Sequence, residues 1–176
     1  MWNIDKSWTL FLDRDGVINE RIIDNYVKST DEFNFINEVP EAIARFSKLF
    51  GRIFVVTNQQ GIGKGVMSES NLTSVHTYMV QEIEKKGGRI DAVYFAPQLA
   101  KESSSMRKPD VGMALKAQKE FPGIDFEKSM MVGDSDSDIE FGKRLGMKTV
   151  KISPKLMDDS KADLYVEHLM QLANSL

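Results

Sequence analysis

The chain contains no cysteine in its 176 residues, which excludes disulfides, thiol nucleophiles and thiolate metal sites. It has no apolar run of membrane-spanning length, so no membrane partner is expected. The opening Met1-Trp2-Asn3-Ile4-Asp5-Lys6 lacks the basic and apolar regions of a signal peptide, and a cytoplasmic location is expected. Positive charge is not in excess either. A formal net charge of -3 and a pI near 5.5 disfavour nucleic acid as the substrate, because tracking phosphates needs a basic face. Repeats, low-complexity tracts and obvious linkers are absent, and 41% hydrophobic with 28% charged residues is ordinary for a globular chain. A single domain over residues 1–176, acting as a monomer, is the expectation.

What is present is chemistry at strand ends. Leu10-Phe11-Leu12 runs straight into Asp13-Arg14-Asp15-Gly16. An apolar run that stops at Asp-x-Asp-Gly reads as a buried strand whose carboxyl end opens into a loop, the place where open α/β sheets put their ligands. Two neighbouring acids repel each other there. A divalent cation keeps both useful, one as ligand and nucleophile and the other as proton donor. The tetrapeptide alone is also compatible with a turn in which both acids cap backbone groups.

Three further segments point the same way. Ile53-Phe54-Val55-Val56-Thr57-Asn58 leads into the glycine-rich Gln59 to Gly65, a strand followed by a phosphate-contacting loop. Met106-Arg107-Lys108-Pro109-Asp110 sets two cations, suited to a phosphoryl group, before a proline that can open a helix. Met130-Met131-Val132-Gly133-Asp134 is another strand-to-acid junction, with Asp138 four residues on in the first helical turn, placed to support a metal-ligating Asp134.

Between these junctions, Val39, Ala42, Ile43, Phe46 and Leu49 recur at helical spacing, as do Leu72, Val75, His76, Met79, Val80 and Ile83. Ile90 to Ala96 and Met147 to Ile152 read as two more strands, and 162–166 as a short edge strand before a final helix. Strand-helix alternation predicts an α/β fold, a doubly wound, Rossmann-like, mostly parallel sheet with helices on both faces. The gaps between motifs leave no room for a separate cap domain.

In order and kind, Asp13-Arg14-Asp15-Gly16-Val17, Thr57, Lys108 and Gly133-Asp134 with Asp138 resemble the motifs of the haloacid dehalogenase superfamily of aspartate-nucleophile phosphotransferases. Thr57-Asn58-Gln59-Gln60-Gly61-Ile62 and Arg107-Lys108-Pro109 are similar to its capless branch, which holds heptose bisphosphate 7-phosphatases, histidinol-phosphate phosphatases and polynucleotide 3'-phosphatases. The resemblance implies a phosphomonoester hydrolase acting on a small phosphorylated molecule, most simply a sugar phosphate. It implies Asp13 as nucleophile and Asp15 as general acid, with Mg²⁺ held by Asp13, the Asp15 backbone carbonyl and Asp134. Thr57 and Asn58 would then hold phosphoryl oxygens, Lys108 would neutralise charge, and Arg107 would reach beyond the phosphate. The loop Arg21 to Val27, with Asp24, Asn25 and Tyr26 in it, is expected to grip the substrate, although Glu20 to Ile23 is longer than the branch usually has.

A second departure concerns zinc. Relatives in the branch carry a Cys-x-His…Cys-x-Cys loop before the Arg-Lys-Pro motif, and here Ala96, Gln98, Ser104 and Met106 stand in those places. None is a competent zinc ligand, so no zinc is expected and the loop is expected to be among the more mobile parts. Other residues invite plainer readings. His76, on an apolar stripe, reads as packed rather than catalytic, and His168 receives no role. Lys64 followed by Gly65 breaks the phosphate-loop pattern of kinases. Methionines read as packing. Asp136 is either a ligand or a helix-start acid.

Overall fold

The computed structural model describes residues 2–154 and 161–176. Its centre is a six-stranded sheet of β1 (Thr9–Leu12), β2 (Arg52–Asn58), β3 (Ala92–Ala96), β4 (Ser129–Gly133), β5 (Lys148–Ile152) and β6 (Leu164–Val166), in the order β3-β2-β1-β4-β5-β6. All five strand pairings are parallel. β1 is completely covered because it lies between β2 and β4 with helices above and below, which explains its unbroken Leu-Phe-Leu run.

The two sheet faces sort by residue parity. Leu10, Leu12, Ile53, Val55, Met130 and Val132 join a core with the apolar sides of α1 (Val39–Leu49), α2 (Glu69–Lys85) and α5 (Leu169–Ser175). Phe11, Phe54, Val56 and Met131 join the opposite core with Met113, Ala114 and Ala117 of α3 (Gly112–Glu120) and Phe141 of α4 (Asp136–Arg144). Among the described residues no helix is long and apolar enough to cross a membrane.

Differences from the sequence reading are small and have local causes. β3 begins at Ala92 rather than Ile90, since Asp91 is used to bind Ile53: its carboxylate accepts from the Ile53 amide at 2.7 Å and its own amide donates back to the Ile53 carbonyl. Pro109 does not open a helix. α3 starts three residues later at Gly112, packed so tightly under the Ser105 carbonyl that a Cβ there would lie 2.4 Å from the oxygen. His168 does have a part, as the N-cap of α5, accepting from the Gln171 amide through Nδ1.

The chain winds outward from β1 through β2 to β3, then returns to β4 on the other side of β1 and winds outward again. Strand order therefore reverses beside β1, and the crevice at the carboxyl ends of β1, β2 and β4 is where such sheets bind ligands.

Candidate active site

Asp13 is the first residue beyond β1, and its amide extends the ladder to the Val132 carbonyl at 2.9 Å. The side chain is buried, and one oxygen faces the Lys108 ammonium at 2.8 Å. Lys108, 3% exposed, uses its three protons on Asp13, on Asp138 at 2.5 Å and on the Val56 carbonyl at 2.7 Å. Burial would lower its pKa, but Asp13 and Asp138 hold it above the ordinary lysine value. Burial, reinforced by Asp138, raises the Asp13 carboxyl, with Lys108 opposing.

Asp138 is completely buried at the start of α4, where its other oxygen caps the helix by accepting from the Ser135 amide and hydroxyl. Asp134 lies at the end of β4, and burial pushes its pKa up to about 6 against the lowering pull of Arg21. Asp13, Asp134 and Asp138 each offer an oxygen, all within 4.8 Å of one another. Gly16 makes this approach possible: it sits at φ +86, and a Cβ there would fall 2.1 Å from an Asp134 oxygen. An all-oxygen set of crowded carboxylates, two with raised pKa, fits a hard divalent cation such as Mg²⁺. Asp138, bonded to Lys108 and Ser135, supports the set from behind. Asp136 lies apart, an exposed acid held below the usual carboxylate range at about 2 by hydrogen bonds from Lys151 and Lys161.

Asp15 has the opposite character to Asp13. Burial would raise it, but the Arg14 guanidinium and amides from Asn19 and Gln59 hold it below the ordinary value. Arg14 is fully buried and also meets His76 Nε2 at 3.1 Å. Burial and the Arg14 charge push His76 down to about 3, so it is neutral and accepts that hydrogen bond.

Thr57, Asn58, Asp24, Asn25, Tyr26 and Arg107 all line one cleft of about 450 Å³ with Asp13, Asp15 and Lys108. Thr57 is buried with its hydroxyl accepting from Gln59, and Asn58 spends its side chain on the Lys108 backbone, donating to its carbonyl and accepting from its amide. Asn58 therefore positions the Lys108 loop. The glycine-rich loop also does more packing than expected: Gly61 lies against Tyr26 and Gly63 against the Pro97 carbonyl, while Lys64 stands 5.3 Å over the Tyr26 ring. In the loop between β3 and α3, Arg107 donates to the Gln98 carbonyl, Leu99 to the Glu102 carboxylate and Gly112 to the Ser105 carbonyl.

Sequence reasoning placed Arg21 in the substrate loop and Arg14, Asn19 and Gln59 within the motifs, but missed that all four bind the strand-end acids. Their only signal was polarity next to the strand-end acids. Which acid each serves depends on loop geometry.

Comparisons with known proteins show the family of the chain. Residues 10–167 match the family model described as polynucleotide kinase 3 phosphatase. A D-glycero-alpha-D-manno-heptose-1,7-bisphosphate 7-phosphatase of Campylobacter jejuni is 38% identical over 145 residues, covering 82% of this chain and 81% of the relative. A D-glycero-beta-D-manno-heptose-1,7-bisphosphate 7-phosphatase of Rhodopseudomonas palustris is 35% identical over 144 residues, covering 78% of each. The crystal structure of D,D-heptose 1,7-bisphosphate phosphatase from B. bronchiseptica, complexed with magnesium and phosphate, superposes with a TM-score of 0.84 at 25% identity, covering 96% of this chain and 97% of that one.

Proposed function

Because this chain belongs to the haloacid dehalogenase superfamily, in the family of the polynucleotide kinase 3 phosphatase model, we propose that it is a Mg²⁺-dependent phosphomonoester hydrolase of D-glycero-D-manno-heptose 1,7-bisphosphate, removing the 7-phosphate. The observation that carries the reading is the convergence of Asp13, Asp134 and Asp138, the first and last of them paired with Lys108, at the switch point of the sheet. Asp13, Asp134 and the Asp15 carbonyl would hold the metal, which when bound supplies positive charge to the nucleophile and to the phosphoryl oxygens.

Asp13 attacks phosphorus in line and takes the phosphoryl group as an aspartyl phosphate. Asp15 protonates the leaving alkoxide, then removes a proton from the water that attacks the intermediate. Lys108 keeps Asp13 oriented and offsets charge that develops on the phosphoryl oxygens. Thr57 contacts the phosphoryl group, and Asn58 fixes the Lys108 loop beside it. Arg107 and Lys64, cations that also line the cleft, suit the second phosphate, while Asp24, Asn25 and Tyr26 offer hydrogen-bonding partners to a polyol chain.

A cytoplasmic monomer without nucleic-acid or membrane partners completes the reading, supported by the acidic net charge. The test is phosphate release from both anomers of the heptose bisphosphate, from histidinol phosphate and from a 3'-phosphorylated oligonucleotide, at several salt concentrations. Preference for either heptose anomer supports the reading. Preference for the oligonucleotide with steep salt dependence replaces it with nucleic-acid end processing, and preference for histidinol phosphate replaces the sugar.

A further inference from the structure

The segment Glu20 to Ile23 carries one residue whose position the reaction alone does not explain. Arg21 leaves the substrate loop and turns back into the acid cluster, where its Nη2 donates to Asp134 at 2.8 Å and to the Asp15 backbone carbonyl at 3.4 Å. These are two of the three groups assigned above to the metal. A guanidinium and a divalent cation want the same oxygens for the same reason, and both cannot have them at once.

Little else holds the side chain there. It is 53% exposed, against 20% for Asp134, so the pairing is an edge contact rather than a buried one. The loop it belongs to is anchored at its base by the Glu20 amide on the Asn34 carbonyl and at its far end by Tyr26 against Gly61. Between these anchors Ile23 is 84% exposed. Ile22, beside Arg21, is partly buried against the core and holds the backbone in place, so only the exposed Arg21 side chain has to swing out.

Resting on the metal reading above, we propose that Arg21 is an internal competitor for the metal. It neutralises Asp134 and ties the substrate loop to the acid cluster until a divalent cation displaces it. Metal binding and the setting of the loop are then one event: the cation takes Asp134 and the Asp15 carbonyl, and Arg21 is released to the rim of the cleft, where it can meet the anionic substrate. Coupling of this kind is reciprocal, so whatever holds Arg21 on Asp134 weakens metal binding by the same factor.

The experiment is calorimetric titration of Mg²⁺ into the wild-type protein and the Arg21→Gln and Arg21→Ala variants, with thermal melts with and without Mg²⁺. An ion pair this exposed is worth a small factor, so both variants should bind Mg²⁺ about two- to five-fold more tightly than wild type. Without metal they should melt below wild type, because Asp134 has lost its neutralising partner, and Mg²⁺ should raise their midpoints more than it raises the wild-type midpoint. Equal or weaker Mg²⁺ affinity in both variants, with clear binding to wild type, overturns the role of Arg21 and leaves the metal reading standing. Failure of Mg²⁺ to bind wild type or either variant overturns both.

Discussion

Replacing Lys108 by methionine should be the most damaging single change at the site that removes no carboxylate. The substitution keeps the stem length and deletes the ammonium, leaving the buried Asp13 and Asp138 oxygens and the Val56 carbonyl without their shared partner at 2.8, 2.5 and 2.7 Å. Removing one member of a buried ion pair typically costs about 3–5 kcal/mol. The low end of that range applies here, since Asp13 already has a raised pKa and can take a proton. For a chain of this size each kcal/mol moves the melting midpoint by roughly 2–4 °C, so Lys108→Met should melt roughly 6–12 °C lower in the absence of metal. Mg²⁺ should restore part of the loss. Asp138→Asn combined with Lys108→Met should cost less than the two separate losses added together, because the second change removes the charge that the first left unpaired. Differential scanning calorimetry of the four proteins checks this. A drop under about 2 °C in Lys108→Met with turnover retained would refute the view that this ammonium holds the acids together.

Asp13→Asn should reduce turnover by about 10³-fold or more while leaving far-UV circular dichroism unchanged, since a carboxamide cannot form the acyl phosphate; phosphate release assays that find near-wild-type activity remove it as the nucleophile. Asp15→Asn should hurt alkyl phosphates more than aryl phosphates, and equal losses in a leaving-group series count against proton donation. Mg²⁺ affinity should fall as pH drops through about 6, because Asp134 must lose its proton to act as a ligand and burial has raised that pKa to about 6; a flat calorimetric profile between pH 5 and 7.5 contradicts the assignment. Purified protein should be active with no stoichiometric zinc by elemental analysis, given Ala96, Gln98, Ser104 and Met106 at the expected ligand positions.

The layout of the sheet was legible because the signal is local. Apolar runs such as Leu10 to Leu12 and Met130 to Val132 end abruptly at acids, and helical spacing in 39–49 and 72–83 is unambiguous. The strand-end acids were legible for the same reason. What could not be read were contacts between residues distant in sequence. Nothing near Arg14 in the chain indicates that it will meet His76 across 62 positions, and nothing near Arg21 points to Asp134, 113 positions on. Asn58 shows a related limit: its place beside Thr57 suggests a phosphate contact, but its amide is satisfied by the Lys108 backbone, a pairing that depends on how the loop after β3 returns.

The two acids of the first motif rest in the opposite protonation preferences from those the reaction needs. In the proposed reaction Asp13 attacks as a carboxylate, while burial and Asp138 raise its pKa; Asp15 donates a proton, while Arg14, Asn19 and Gln59 stabilise its ionised form. Electrostatics resolves the conflict when the site fills. In the proposed reaction a cation held by Asp134 would favour the ionised form of Asp13, and the negative phosphoryl group arriving between the acids would favour the protonated, donating form of Asp15. In that scheme the buried Arg14 and neutral His76 fix the orientation of Asp15, while the substrate itself brings the charge that makes it an acid. The ionised form of Asp15 that these partners favour suits the second half of the proposed reaction, in which it would accept a proton from water, and substrate binding would favour the first.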